Sequence, residues 1–280
     1  MNEKKKYLGG DYSGERALFM LNDAYLEGIR FHDGESPLKE SNNLEIVKCS
    51  FEWKYPLWYS ENIKVIDTLF KPMSRSGIWY TKNISLTNCM VEAPKEFRRS
   101  SKIVINNCKF LDATETLWHC DDVEINDSFF DGDYLLMNST NIKINNLHLE
   151  GNYICDGAKN VIIKNSILNS KDSFWNAEDV TVYDSKINGE YIGWNSKNVT
   201  FINCEIESNQ GFCYMDNVVL KNCKLINTTL AFEYSTVNAD IDSTIDSVKN
   251  PISGKITSKG IKELITDDCD MNKIEIIDKK

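Results

Sequence analysis

The sequence predicts an all-β protein, a single-stranded right-handed parallel β-helix. This is a solenoid of about twelve coils of 19–21 residues. Three observations predict it. A nine-residue phrase recurs, as in NVIIKNSIL at 160–168, NVTFINCEI at 198–206 and NVVLKNCKL at 217–225. Its copies begin at Asn43, Asn62, Asn83, Lys102, Asp122, Asn141, Asn160, Asp179, Asn198 and Asn217, in steps of 19 to 21 residues. Within the phrase, apolar residues alternate with others, which marks a strand with one buried face, and no 3.6-residue period separates the copies.

Each coil is read from this phrase. Its second, fourth and ninth positions are apolar, as in Val161, Ile163 and Leu168. Its sixth position is Lys48, Asp67, Asn88, Asn107, Asp127, Asn146, Asn165, Asp184, Asn203 or Asn222. Asn tolerates the left-handed backbone of a sharp turn, and its amide bonds to the next Asn in a stack. The seventh position is small, with Cys49, Cys89, Cys108, Cys204 and Cys223 interspersed with Ser and Thr. Such cysteines read as small buried hydrophobes at a tight inner corner. Weaker copies start near Asp23 and Thr236. The expected layout is one domain over 1–280, with a cap at 1–22, regular coils at 23–239, and terminal coils and a cap at 240–280. The stretch KGIKELI at 259–265 suits a short helix or a final strand, and EAPKEFRR at 92–99 is expected to bulge outward as a loop. Hexapeptide helices need a multiple of six, and leucine-rich repeats need a Leu frame; neither fits.

Bulk composition narrows the function. A net charge of −10 argues against nucleic acid. It is uneven, +3 over 1–110 and −13 over 111–280. No secretory leader or membrane span is visible in the sequence, and the nine cysteines form no CxxC pair, so a reduced, cytoplasmic protein is expected. No motif for a cofactor or metal is present, and none is expected.

A second set of columns precedes each phrase. Five of the six tryptophans, Trp58, Trp79, Trp118, Trp175 and Trp194, fall four residues before it, with Tyr59 and Tyr80 one place on. By alternation this column points outward. Aromatic faces stack on sugar rings, and charged neighbours bind hydroxyls or carboxylates. Self-stacking for stability is the competing reading. Near these aromatics lie the candidate catalytic residues Arg98, Arg99, Glu115, His119, Asp133 and Asp156, and the candidate ligand residues Asp172 and Glu190. A basic pair beside carboxylates is what a uronic-acid lyase or glycosidase needs.

The stretches DGESPLKES, WKYPLWYS, GIWYTKN, APKEFRR, NGEYIGWNSKN and INTTLAFEYSTV resemble a bacterial family catalogued as a domain of unknown function. The resemblance runs from about Gly14 to Asn250 and implies a pectin lyase-like β-helix. It implies no activity and no catalytic residues. The calcium-site Asp cluster and active-site motifs of pectate lyases and polygalacturonases have no match. The expected function is binding of a carbohydrate or sugar-acid ligand along the Trp/Tyr and charged face, with glycosidase or lyase chemistry beside it. The alternative is a structural or protein-binding scaffold, including a homodimer. A third option is a small-molecule enzyme with a loop pocket at 92–99.

Overall fold

The computed structural model describes residues 4–279. It is an all-β parallel solenoid of about fourteen turns, and the chain divides into two compact units, Met1–Ile142 and Lys143–Lys280. The sequence expectation of about twelve coils is low because turns at both termini lack the recurrent phrase. Lys5–Tyr12 is already a strand, as are Ser253–Ser258, Ile261–Ile265 and Ile274–Asp278. The KGIKELI segment thus forms a strand. Of the expected cap at 1–22, residues 1–3 lie outside the described residues.

In the first unit the long strands Asn42–Val47, Glu61–Ile66, Lys82–Thr87 and Ser101–Asn106 pair in parallel. The register places Ile63 against Ile84 and Val65 against Leu86. Like residues therefore meet, and every second side chain is buried, as the phrase requires. Short strands follow each turn: Ser50–Phe51, Leu69–Phe70, Met90–Val91 and Lys109–Phe110. Their inward ends build a phenyl stack. Phe31, Phe51 and Phe70 follow one another at 5.0 Å centroid spacing, and Phe110 lies 4.2 Å from Phe130.

The second unit repeats the plan. Lys159–Lys164, Glu178–Tyr183 and Lys197–Ile202 pair in parallel, and the last pairs with Asp216–Thr229. The short strands Ile167–Asn169, Lys186–Asn188 and Glu205–Asn209 form the adjoining ladder. Phe174, Phe201, Phe212 and Phe232 fill its core.

The corners explain the coil length. The sixth-position residues all adopt positive φ, from Lys48 at 51° to Asn222 at 51°. The first-position residues do so too, from Asn43 at 55° to Asn217 at 65°. Asn107 donates to Asn88 at 2.8 Å in the first unit, and Asn222 to Asn203 at 2.9 Å in the second. Inside each corner, small polar side chains satisfy backbone donors that have left the ladder. Ser128 Oγ accepts from the Cys108 N–H at 3.0 Å, and Ser185 Oγ from the Ser166 N–H at 3.0 Å. The Cys89 N–H donates to Cys108 Sγ at 3.3 Å. All nine cysteines are free thiols and eight are buried. Burial pushes the Cys120 thiol up to about 12, as suits an inert packing residue.

The third side is mostly turns, and only in the last coils does it carry strands, Ile245–Lys249 paired with Ile261–Ile265 among the described residues. Isolated parallel bridges join Trp79 to Arg98 and Arg98 to Trp118. Residues 92–99 belong to this side and do not bulge outward. Ala93, Glu96 and Phe97 are fully buried, because the polar-looking EAPKEFRR stretch keeps the inward column of its coil apolar at Ala93 and Phe97.

Replacing Phe51 with Ala removes the middle ring of the phenyl stack. A loss of about 3–5 kcal/mol in unfolding free energy is expected from equilibrium denaturation.

Candidate functional site

The aromatic column lies where alternation placed it, half-buried on the outside of the third side. In the first unit its faces are occupied by one another. Trp58 and Trp79 stack at 5.3 Å and 9°. The Arg98 guanidinium sits 4.6 Å from the Trp79 ring and 4.6 Å from the Trp118 ring, as cation–π contacts on both sides. The indole N–H groups are also engaged: Trp79 donates to the Lys95 carbonyl at 2.8 Å and Trp118 to the Tyr134 carbonyl at 2.7 Å. Glu115 receives Lys95 at 3.1 Å and Arg98 at 3.2 Å. Arg98, Glu115 and Trp118 are thus brought together as a clamp between coils.

Beside this clamp Tyr59 and Tyr80 stack at 4.7 Å and 4°, and they are 49% and 37% exposed. Arg99 and His119 follow them in the same exposed column. Asp133 gives its backbone carbonyl to the Glu115 N–H at 2.9 Å.

Sequence reasoning missed Glu96. Its side chain is fully buried, and Oε2 accepts from the Gly77 N–H at 2.9 Å. Gly77 makes the room: a Cβ there would lie 2.6 Å from Oε2 and 2.9 Å from Oε1. Burial holds the carboxyl well above the usual range, against the backbone bonds from Gly77 and Ile78. Oε1, Arg98 Nε and Thr116 Oγ1 are buried with no partner among the described residues. The sequence signal was the 21-residue step across Asn62–Asn83, which marks a wider turn with Gly77 inside it.

The second unit holds the remaining candidates. Trp175 stacks on Tyr153 at 6.0 Å, and Trp194 packs on Tyr214 at 4.9 Å. Asp156 accepts from the Asn176 amide at 3.3 Å. Asp172 is raised, first by burial and then by Glu190 and Asp156, while a hydrogen bond from the Tyr153 hydroxyl and the charge of Lys171 oppose the shift. Lys171 meets Glu190 at 3.4 Å.

From Lys171 and Glu190 an open groove crosses the outer face of the short strands. Asn188 and Glu207 join its Lys171 end to its middle, and Lys186 and Glu205 join the middle to a wider end of about 490 Å³ at Asn203 and Asn222. That volume falls in the range of small-ligand sites, about 300–1,000 Å³. Lys171, Lys186 and Lys224 line it, against Asp184, Glu190, Glu205, Glu207 and Asp242. Six asparagine amides join them: Asn169, Asn188, Asn203, Asn209, Asn222 and Asn227. Ile167 and Ile226, 42% and 38% exposed, give its middle an apolar floor. Apart from Glu190, no residue singled out from the sequence as a ligand or catalytic candidate lines the groove. Its polar side chains stand at outward positions of the short strands, where Lys, Glu and Asn read as an ordinary solvated face.

The family described as "Protein of unknown function (DUF3737)" matches residues 5–277. No curated protein matches the chain. Solved structures similar to it include the A-module of the mannuronan C-5 epimerase AlgE4 of Azotobacter vinelandii, 11% identical, covering 97% of this chain and 87% of that one, with a TM-score of 0.33. The surface adhesin PfbA of Streptococcus pneumoniae is 13% identical, covers 99% of this chain and 84% of that one, and has a TM-score of 0.42. A tailspike protein of E. coli bacteriophage HK620 in complex with a pentasaccharide is 8% identical, covers 92% and 70%, and has a TM-score of 0.38. Likenesses this distant identify neither a site nor an activity. Among the described residues no helix is long and apolar enough to cross a membrane.

Glu96 makes stability depend on pH. The fold holds it protonated, whereas the unfolded chain ionises near the ordinary value of 4.5. Its contribution is whole below that value and is lost as pH rises toward the raised folded value. The wild type is therefore expected to lose stability relative to Glu96→Gln as pH rises above about 5, with the gap widening, by urea denaturation at each pH.

Proposed function

We propose, from the premise that this chain belongs to the DUF3737 family, that its second unit binds a neutral oligosaccharide in the groove over the short strands. One observation carries the reading: a continuous trough lined by amides and carboxylates, with an apolar floor at Ile167 and Ile226. Planar amides and carboxylates bond to hydroxyl pairs, and aliphatic side chains take the C–H face of a pyranose ring. Charge decides between sugar classes. Three lysines face five carboxylates along the groove, so an acidic sugar meets net repulsion.

The Trp175–Tyr153 pair lies beside Asp172 at the Lys171 end. It is a platform for one further ring. Proton-transfer chemistry, as in a glycosidase or lyase, falls in this reading to Asp172 with Glu190, since a raised carboxyl beside a second one is the arrangement such catalysis uses. Trp58, Trp79, Trp118, Arg98 and Glu115 act as a structural clamp, with Tyr59, Tyr80, Arg99 and His119 as an exposed strip beside it.

Isothermal titration against neutral and uronic-acid oligosaccharides tests this. A neutral oligomer is expected to bind, and Asn188→Ala with Glu207→Ala to weaken it by about tenfold or more, roughly 1.4 kcal/mol. Asp172→Asn is expected to abolish any turnover while leaving affinity within about threefold. Stronger binding of the acidic oligomers, or wild-type affinity in the groove variants, overturns the reading.

A further inference from the structure

We infer that the chain associates head to tail with a second copy of itself, through the open edge strand of the first unit in one copy and that of the second unit in the next. The inference does not rest on the groove. Lys5–Tyr12 has one strand neighbour among the described residues, Asn22–Phe31, and Ile274–Asp278 has one, Ser253–Ser258. Both pairings are parallel. Each edge strand therefore leaves one row of backbone N–H and C=O groups without a strand partner, which is a template for another strand.

The core is also uncovered at these edges. Tyr7 is in register with Leu26, which is 0% exposed, yet Tyr7 itself is half-exposed. Ile276 is in register with the fully buried Ile256 and is likewise half-exposed. Leu8 and Met20 near the first edge are 66% and 54% exposed, and Leu264 and Met271 near the second are 40% and 37%. The same inward columns that are sealed in interior coils stand open in the last layer of each unit.

Charge selects the partner. Residues 4–20 carry four cations and two carboxylates, a net of +2. Residues 261–279 carry three lysines and six carboxylates, a net of −3. Joining two first-unit edges would run the strands antiparallel, unlike the parallel pairing of either edge strand, and would bring together two surfaces that each carry a net of +2. Joining a first-unit edge to a second-unit edge in the register of the repeat sets Lys6 against Glu275, both exposed, and Tyr7 against Ile276, brings a net of +2 to a net of −3, and continues both ladders in parallel. The lysines, which blunt an edge against stray strands, here discriminate among partners. Such a heterologous contact joins unlike surfaces, so the product is a ring or an open series of copies, not a two-fold dimer.

Sedimentation velocity of the full chain from about 1 to 200 μM tests this at low salt, where the Debye length is about 30 Å, and at about 1 M salt, where it is about 3 Å. The expected result is a concentration-dependent series beyond the dimer that returns to monomer in high salt. Lys5→Glu with Lys6→Glu is expected to weaken association about tenfold or more, as is Glu275→Lys with Asp278→Lys. Mixing the two variants is expected to restore association, because each then presents the charge the other lacks; this rescue shows that both fold. A monomer throughout the range at low salt overturns the inference. A discrete dimer indifferent to both charge reversals overturns it as well.

Discussion

Parallel register is the constraint on which everything else rests. Each strand lies directly against the strand one coil away, so a given position of the repeat meets itself. Ile63 meets Ile84, Val182 meets Phe201, and Asn88 meets Asn107. A core column must then be apolar in every coil, a corner must accept a left-handed backbone in every coil, and a buried polar group must find its partner one coil away. The hydroxyl columns are the third case: a Ser or Thr in one coil accepts the N–H of the coil before it, as Ser100 does for Thr81 and Ser139 for Cys120. The side chain thus replaces a ladder bond that the turn has removed.

The same constraint turns outward aromatics into a stack. Indoles in one column face each other at coil spacing, so in the first unit their π-faces are spent on Trp58–Trp79 contact and on Arg98. Arg98 substitutes for a ring, and Glu115 and Lys95 hold the charges around it. Glu96 shows the converse. Where a wider turn at Gly77 leaves a gap, the next coil fills it with a carboxyl group that must stay protonated. A ligand needs surface that the ladders do not use. In the second unit the outer face of the short strands offers it, with amides and carboxylates beside two exposed isoleucines.

Most of the fold was legible because it is periodic. The alternation in NVIIKNSIL gave strand, face and register at once, and Asn at the sixth position announced its own positive φ. The third side was harder. Glu40, Tyr59, Tyr80, Arg99 and His119 all take positive φ as well, and none has a preference for it, so nothing in their identity betrays a corner. The stretch at 92–99 misled because its charges hide an inward column of Ala93 and Phe97. Of the candidate residues, Arg98, Glu115 and Trp118 do meet in the first unit, but engaged with one another. In the second, Asp156 and Glu190 lie near enough to Asp172 for their charges to raise it. The groove was illegible, since Lys186, Asn188, Glu205 and Glu207 look like any solvated strand face until the coils are stacked.

In the proposed function the second-unit groove, and not the aromatic column of the first unit, receives a neutral sugar. The most direct measurement follows asparagine side-chain amides and tyrosine rings by NMR while a neutral oligosaccharide is titrated into the labelled protein. Saturable shifts of the Asn188 and Asn209 amides are expected, with Tyr59 and Tyr80 unmoved. Saturable shifts at Tyr59 and Tyr80 with the groove amides unmoved would contradict the proposed function.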